Sequence, residues 1–183
     1  MNKKEWEKKY RSKTIDKEPD AAALLRENTH LFSGGTALDI AMGMGQNAIF
    51  LASHGYKVTG IDRSGSSVSL AQKHAKKKAV SLRTVEADIL TYGILENYFD
   101  VILNFYFLER SLIQKIKKGL KKNGLVFFET YTTDQSRFGG PKNPDFLLKP
   151  NELLNCFLDF FIIFYHERIE EKKAIVSLIA QKV

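Results

Sequence analysis

The stretch Ala37-Leu-Asp-Ile-Ala-Met-Gly-Met-Gly-Gln-Asn-Ala48 places a short apolar run directly before two closely spaced glycines. A second stretch, Gly55-Tyr-Lys-Val-Thr-Gly-Ile-Asp62, adds a β-branched run that ends in an acid. The first stretch predicts a strand, a glycine-rich turn and a helix, because the apolar spacing changes from strand-like to helical after the glycines. Such a turn lets the backbone approach a ligand closely, and the helix start adds unpaired N–H groups.

Asp62 supplies a second element of the same predicted site. It lies 17 residues after Gly45, close to the ~20-residue spacing at which an acid on the next strand can accept hydrogen bonds from both hydroxyls of a ribose. A Gly-x-Gly sequence by itself is also typical of an ordinary tight turn. The strand before it and the acid after it together favour a nucleoside ligand.

Two further acids indicate which nucleoside. A pyrophosphate-binding turn is expected to avoid an acid as close as Asp39, since like charges repel at a site of low dielectric. S-adenosylmethionine has no phosphate, and its amino and sulfonium groups are cationic, so an acid is favourable there. Asp88 ends the third predicted strand and is suited to accept a hydrogen bond from an adenine amino group, although capping a helix or turn is the alternative interpretation.

The rest of the chain predicts the fold around this site. Strand-like and helix-like segments alternate from Ala37 to Thr130, which is typical of a parallel sheet covered by helices on both sides. The predicted strands are Thr36–Ile40, Lys57–Ile61, Leu82–Glu86, Phe99–Phe105, Leu125–Glu129, Phe160–Glu167 and Ala174–Ala180. The predicted helices are Asn47–His54, Ser67–Lys78 with Ser64 as its N-cap, Leu112–Leu120 with Asn123-Gly124 as its stop, and Asn151–Phe157. The last two strands should form an antiparallel hairpin, because only Glu170-Glu171-Lys172-Lys173 joins them.

The glycine turn and its acids resemble those of the class I S-adenosylmethionine-dependent methyltransferases. In that family the first strand closes with acid-x-Gly-x-Gly-x-Gly; Asp39, Gly43 and Gly45 match this pattern, and Ala41 replaces the first glycine. The resemblance implies an α/β, Rossmann-like, doubly wound sheet of seven strands, mostly parallel with an antiparallel last strand. It also implies a donor-binding role for Asp39, Ala41, Gly43, Gly45, Gln46, Asn47, Asp62, Arg63, Asp88, Ile89 and Asn104.

A narrower resemblance concerns the acceptor. The segments Trp6–Arg11 and Gly139–Leu154 are similar to the tellurite-resistance-type, small-molecule branch of the family. We expect the acceptor to contact Tyr10, Tyr106, Tyr131, Arg137 and Lys142. The two cations would favour an anionic acceptor, while core packing of the aromatic side chains and solvated loop charge are the alternatives. A leader helix carrying Trp6, Tyr10 and Arg11 would either cover the donor as a lid or pack against the sheet.

The sequence does not assign catalytic residues. A thiolate or metalloid oxyanion already carries its lone pair, whereas an oxygen or nitrogen acceptor would use a base such as His166 or Glu129. Thiols, metalloid oxyanions and small acids therefore all remain as acceptors. The four histidines (30, 54, 74 and 166) have no metal-ligand spacing, so we expect surface or capping roles for them and no metal site.

Two other functions stay open at this point. A nucleotide-dependent oxidoreductase would share the glycine turn and the ribose acid, and Arg63 beside Asp62 would suit a 2′-phosphate. The pI of 9.4 and the missing base also allow an RNA or protein methyltransferase, or a non-catalytic binding module of the same fold.

Composition sets the remaining expectations. The chain has 183 residues and a net charge of +7, and its lysines fall in three separate segments that we interpret as solvated helix faces rather than a nucleic-acid surface. Cys156 is the only cysteine, which excludes an intrachain disulfide. We predict one domain over 1–183, with a leader or lid (1–30), a donor-binding core (35–130) and a substrate loop with the hairpin (131–183). Without a long apolar run or a secretory signal, a cytoplasmic monomer or homodimer is expected, with no membrane partner.

Overall fold

The computed structural model describes residue 7 and residues 20–183 of the chain. The chain divides into two compact units, Met1–Gly93 and Ile94–Val183. The first unit contains the glycine turn and the three acids of the predicted donor site. The second contains four of the five predicted acceptor residues, which are Tyr106, Tyr131, Arg137 and Lys142.

The first unit is built on three parallel strands, β1 (Gly35–Ile40), β2 (Tyr56–Asp62) and β3 (Leu82–Glu86), with β2 in the middle. Its helices are α1 (Ala23–Arg26), α2 (Gln46–Ser53) and α3 (Gly65–Lys77), and a short 3-10 turn covers Thr29–Leu31. The register pairs Asp39 with Gly60 and Asp62 with Glu86. The acids therefore lie near the carboxyl ends of adjacent strands, where ligands of open α/β sheets bind.

Helix α3 forms as its sequence predicts. The Ser64 hydroxyl accepts a hydrogen bond from the backbone N–H of Ser67 at 3.2 Å, which confirms the expected N-cap. Val68 and Ala71 are buried on one side of the helix, and Lys73, Lys76, Lys77 and Lys78 are exposed. This lysine segment is a solvated helix face.

The second unit begins with β4 (Phe99–Phe105), α4 (Ser111–Gly119) and β5 (Leu120–Tyr131). Two 3-10 turns, Thr133–Arg137 and Pro144–Phe146, precede α5 (Glu152–Cys156), and the unit ends with β6 (Phe160–Glu170) and β7 (Lys173–Lys182). Strands β4 and β5 are parallel, whereas β7 runs antiparallel to both β5 and β6. The strand order is β3-β2-β1-β4-β5-β7-β6, so the predicted mixed α/β sheet of seven strands is confirmed.

Two local predictions were wrong. Asn123-Gly124 does not stop a helix, because α4 already ends at Gly119 and the two residues lie inside β5. Asn123 has φ 65°, and the register between β4 and β5 shifts after Phe99. The hairpin strands are longer than expected, and their turn is reduced to Glu171 and Lys172, both at positive φ. In the hairpin turn, Glu171 and Lys172 take a left-handed conformation that their residue types do not signal, whereas Asn123 is of a type that often adopts it.

Arg110 fixes the long segment between β5 and α5. Its guanidinium donates to the carbonyl oxygens of Asp145 (3.0 Å) and Leu147 (2.9 Å) and forms an ion pair with Glu152 (2.6 Å). Because the planar guanidinium offers donors in fixed directions, it can hold two carbonyls and a carboxylate at once. The segment is thus an ordered loop.

Candidate functional site

The glycine turn between β1 and α2 has the backbone shape that a close-lying ligand needs. Gly43 and Gly45 have φ values of 57° and 81°, which favour glycine. A Cβ on Gly45 would lie 2.9 Å from the Cβ of Ala71 on α3, so no side chain fits there. Ala41, which stands where the resembled family has glycine, also has positive φ, at 53°. The turn therefore has a conformation that glycine favours, with backbone strain at Ala41, and it is packed against α3.

Asp39 is buried beneath this turn, with 1% of its surface exposed. Burial raises the pKa of its carboxyl group to about 8; a hydrogen bond from the backbone of Ala48 opposes this rise and the nearby charge of Asp62 adds to it. Within the described residues, no group donates a hydrogen bond to Asp39 Oδ2. A buried carboxylate oxygen without a partner is costly, and a cation would satisfy it.

Asp62 ends β2 beside the same turn and is 8% exposed. Its Oδ2 accepts from the backbone N–H of Gly43 and its Oδ1 from that of Ser64, both at 2.9 Å. Burial raises its pKa, and these two bonds oppose the rise. Each carboxylate oxygen can accept two hydrogen bonds, so the side chain is oriented by the turn and retains acceptor capacity for a ligand.

A pocket with a volume of about 150 Å³ opens beyond β3, lined by Arg63, Glu86, Ala87 and Asp88. Asp88 Oδ1 accepts from the backbone N–H of Leu90 at 3.0 Å, so Asp88 does cap a turn. Ile89, beside it, is buried. The turn cap and a ligand contact are compatible, because the cap engages only one carboxylate oxygen.

Two predicted residues at the start of α2 have different surroundings. Asn47 is buried, and its Oδ1 accepts from the backbone N–H of Ala22 at 2.9 Å, so it ties the segment before α1 to the donor site. Gln46 is half-buried, and none of the described residues donates to its Oε1. Of the two side chains, Gln46 is the one with unused hydrogen-bonding capacity.

His74 corrects our expectation of surface or capping histidines. It lies on α3, is fully buried, and its Nδ1 is 3.2 Å from the carbonyl oxygen of Met44 in the glycine turn. Its Nε2 is buried without a hydrogen-bond partner in the described part of the chain. Helix α3 therefore supports the turn from behind through both Ala71 and His74. The lysine-rich sequence around His74 suggests a solvated face and gives no sign of this contact.

Of the predicted leader (1–30), the structure describes Glu7 and residues 20–30, where the only α-helix is the short α1. The Glu7 carboxylate accepts from the hydroxyl and the backbone N–H of Ser66 at the start of α3, close enough to Asp62 to contribute to the raised pKa of that residue. Trp6, Tyr10 and Arg11 lie outside the described residues. Their assignment to a lid stays a prediction.

In the second unit, Asn104 and Tyr106 occupy the end of β4. Asn104 is buried and donates from Nδ2 to the carbonyl oxygen of Phe107 at 2.8 Å. Tyr106 is 44% exposed, has φ 55°, and its ring lies 5.1 Å from that of Tyr131. The structure thus brings together two of the three predicted acceptor tyrosines; the third, Tyr10, lies outside the described residues.

Glu129 is buried behind these tyrosines, 5% exposed. It accepts hydrogen bonds from the hydroxyls of Tyr106 (2.8 Å) and Ser177 (2.6 Å), and Arg168 lies 3.4 Å from it. The sequence suggested Glu129 as a base but not these partners, which lie 23 to 48 residues away along the chain. His166, the other suggested base, stacks edge-on with Phe164 on β6.

The two cations predicted to contact the acceptor, Arg137 and Lys142, lie among the described residues and form no hydrogen bond with Glu129. Arg137 forms an exposed ion pair with Asp134 at 3.1 Å, and Lys142 is exposed. Surface ion pairs of this kind contribute little to stability. Neither cation is committed to a buried contact, and their acceptor role stays a prediction.

Neither a metal site nor a membrane-spanning helix is found among the described residues. Over residue 7 and residues 20–183, no three metal-ligating side chains cluster together. In the same part of the chain, no helix combines the length and the apolar character that a membrane crossing requires. The single cysteine, Cys156, is free and half-buried, and burial raises the pKa of its thiol.

Known proteins resemble this chain in sequence and in fold. Residues 37–124 match a family described as "Methyltransferase domain". A probable S-adenosyl-L-methionine-dependent methyltransferase TehB of Haemophilus influenzae is 28% identical over 141 residues, which cover 73% of this chain and 49% of that protein. The ubiquinone biosynthesis O-methyltransferase of Pasteurella multocida is 29% identical over 146 residues, covering 71% of this chain and 60% of that protein.

The crystal structure of TehB from Haemophilus influenzae has the same fold, with a TM-score of 0.77 at 22% sequence identity. The superposition covers 99% of this chain and 67% of the TehB chain. By sequence, this chain spans about half the length of TehB. The second unit's hairpin is thus part of the shared fold, although the family match ends at residue 124.

Proposed function

The chain belongs to the class I S-adenosylmethionine-dependent methyltransferases, and from this premise we propose that it methylates a small molecule, with its first unit binding the donor. The observation that carries the proposal is the buried, unpartnered Oδ2 of Asp39 beside the glycine turn. A cationic ligand would satisfy that oxygen. A pyrophosphate offers no cation to pair with that oxygen, and its negative charge would further oppose ionisation of Asp39, so the site favours S-adenosylmethionine over the ligand of a nucleotide-dependent oxidoreductase.

Each chemical group of S-adenosylmethionine has a suitable partner among the residues of this site. Asp39 would hold its cationic amino acid portion, with Gly43, Gly45 and the start of α2 providing the backbone surface. Asp62 would accept from the ribose hydroxyls, because two backbone N–H groups already orient it. Asp88 and Ile89, beside the pocket after β3, would contact the adenine. The remaining residues of the first unit proposed to line the donor site are Ala41, Gln46, Asn47 and Arg63. Asn104, at the end of β4 in the second unit, stays a separate prediction.

When bound, S-adenosylmethionine supplies an electrophilic methyl group, so the protein mainly has to align an acceptor and keep water away. We assign this task to the second unit, where Tyr106 and Tyr131 present adjacent rings at the ends of β4 and β5. Arg137 and Lys142 would contact a charged portion of the acceptor.

Transfer of a radiolabelled methyl group tests the proposal. We would offer thiols, phenols, selenite, tellurite, small carboxylic acids and tRNA, and we expect label only in a small molecule. Asp62→Ala should reduce transfer at low donor concentration, whereas Asp20→Ala, which changes an exposed acid of the same unit, should not. Label in tRNA alone would replace the small-molecule proposal with an RNA methyltransferase, and no transfer to any acceptor would contradict it.

A further inference from the structure

A row of hydrogen-bonded side chains crosses the second unit from β4 to β6. It comprises Tyr106 after β4, Glu129 on β5, Ser177 on β7 and Arg168 on β6, and we call it the Tyr106–Arg168 row. The Tyr106 hydroxyl donates to Glu129 Oε1 at 2.8 Å, and the Ser177 hydroxyl donates to Glu129 Oε2 at 2.6 Å. Arg168 donates to the Ser177 hydroxyl at 2.7 Å and lies 3.4 Å from Glu129 Oε2.

Only Tyr106 in this row is exposed. Glu129 and Ser177 are buried, and the Arg168 side chain is 20% exposed. Tyr106 is also fixed at its backbone: its N–H donates to the carbonyl oxygen of Glu129 at 2.7 Å, and its φ of 55° is unusual for a bulky residue. Conformations of this kind persist where the surrounding contacts impose them, and they are frequent at functional sites.

The hydrogen bond from Tyr106 to Glu129 determines whether Tyr106 can donate to a ligand or accept from it. A phenol has one O–H to donate, and Tyr106 gives it to Glu129. The Tyr106 oxygen therefore has only lone pairs left to offer a ligand. An acceptor that carries a hydrogen can donate to these lone pairs, whereas an anion without one would have to take the Tyr106 hydrogen away from a buried carboxylate, which is unfavourable.

We propose that Tyr106 is a catalytic residue that binds the methyl acceptor through an X–H group and takes its proton, with Glu129 behind it receiving the phenol's own proton. The acceptor class is thus an alcohol, phenol, thiol or amine, and not a metalloid oxyanion or a carboxylate. This inference rests on the proposed methyltransferase function and narrows its substrate.

The step balances without a further reactant. Atom X forms a bond to the methyl carbon while the bond from that carbon to the sulfonium sulfur breaks, and its electron pair stays on sulfur. The proton on X moves to Tyr106 Oη, and the Tyr106 proton moves to Glu129 Oε1. Arg168 lies 3.4 Å from Glu129 Oε2, where its charge faces the side chain that receives the proton. The X–H group becomes strongly acidic as the methyl group attaches, so a carboxylate is sufficient to receive that proton.

Matched substitutions test the proposal. Tyr106→Phe keeps the ring and removes the oxygen, and Glu129→Gln keeps the shape and removes the proton-accepting carboxylate. The control is Tyr165→Phe, because the Tyr165 hydroxyl also donates to a glutamate, Glu167, but takes no part in the Tyr106–Arg168 row. The probes are phenol and 2-mercaptoethanol, which carry X–H, and benzoate and selenite, whose attacking atoms carry no hydrogen.

We expect transfer to phenol or 2-mercaptoethanol, with kcat lowered about 10²-fold by Tyr106→Phe and by Glu129→Gln and unchanged by Tyr165→Phe. A solvent deuterium isotope effect on kcat should be present in the native protein and lost in Tyr106→Phe, which a purely structural role would not produce. In a binding assay without turnover, on protein saturated with S-adenosylhomocysteine, Tyr106→Phe should weaken phenol about tenfold and leave benzoate unchanged.

Several results would overturn this assignment while leaving the donor site intact. The first two are a native-like kcat in Tyr106→Phe and a loss of kcat in Tyr165→Phe as large as that in Tyr106→Phe. The others are methyl transfer to benzoate or selenite alone, and no transfer to any of the four probes by protein that binds S-adenosylhomocysteine. If Glu129→Gln alone fails to fold, Tyr106→Phe still decides the question. Failure of the native protein to bind S-adenosylhomocysteine would instead contradict the proposed function itself.

Discussion

Asp39 combines burial with a carboxylate oxygen that has no hydrogen-bond partner among the described residues. The sequence places an acid before the glycine turn, and that spacing was sufficient to predict a positively charged donor. It was not sufficient to predict the burial of Asp39 or its unpartnered Oδ2, because both depend on how α2 and the turn pack over β1. The protein keeps a destabilising group whose cost a bound cation would remove.

The raised pKa of Asp39 predicts how stability depends on pH. Between about pH 4 and pH 8 the folded protein retains a proton on Asp39 that the unfolded chain has released, since the pKa rises from 3.8 to about 8 on folding. The free energy of unfolding should therefore fall as pH rises through this window, by at most about 1.4 kcal/mol per pH unit. The raised pKa of Asp62 acts in the same direction.

Urea unfolding at pH 5, 6, 7 and 8 without ligand measures this dependence. Asp39→Asn should flatten it, because asparagine does not titrate, while Asp20→Asn on the exposed surface should leave it unchanged. Two results would show that Asp39 is ionised in the folded state. One is a free energy of unfolding of the native protein that rises from pH 5 to pH 8, and the other is the same pH dependence in Asp39→Asn as in the native protein.

Ala41 offers a second test at the residue scale. Its φ of 53° costs an L-residue roughly 1–2 kcal/mol, and glycine would remove that strain while adding about 0.5–1 kcal/mol of unfolded-state entropy. We expect Ala41→Gly to raise the free energy of unfolding by about 0.5–1 kcal/mol. Ala48→Gly, inside α2, is the control and should lower it. Destabilisation by Ala41→Gly would mean that Ala41 is not strained.

At the scale of elements, the glycine turn depends on α3 as well as on its own sequence. Gly45 and Gly55 have nearly the same φ, 81° and 85°. A Cβ on Gly45 would lie 2.9 Å from the Cβ of Ala71, whereas a Cβ on Gly55 would have no atom within 4 Å. Gly55→Ala therefore measures backbone strain alone, and Gly45→Ala measures strain together with displacement of the turn from α3.

We expect Gly55→Ala to cost about 1 kcal/mol of stability and to leave the affinity for S-adenosylhomocysteine unchanged. Gly45→Ala should cost more and should weaken that affinity by at least tenfold. Chemical denaturation and equilibrium binding of both variants provide the comparison. Equal effects of the two substitutions on binding would show that contact with α3 does not shape the donor site.

The success of sequence-based prediction differed from element to element for physical reasons. Strands such as Phe99–Phe105 were predicted to the residue, because a strand buried on both faces leaves a continuous apolar run. The start of β5 was missed, since Asn123-Gly124 is as typical of a helix end as of the bulge that forms here. His74 and the Tyr106–Arg168 row were missed because their contacts join residues far apart in the chain.

At the scale of the whole molecule, the sequence predicts one domain over residues 1–183, and a thermal measurement tests this. A ligand that binds only the native state at a hundred times its Kd adds about 2.7 kcal/mol of stability, or roughly 5–10 °C in Tm for a chain of this length. We expect S-adenosylhomocysteine to shift a single calorimetric transition as a whole. Two transitions, of which only one moves, would show that the two units unfold independently.

The acids around the glycine turn bind an adenosyl donor in the function proposed for this chain, and every other assignment depends on that binding. Isothermal titration calorimetry with S-adenosylhomocysteine and with NADH, on the native protein and on Asp62→Ala, tests it most directly. We expect binding of S-adenosylhomocysteine but not of NADH, with Asp62→Ala weakening it by roughly 1.5–3 kcal/mol. Binding of NADH in its place, or an unchanged affinity in Asp62→Ala, would contradict this role of the acids.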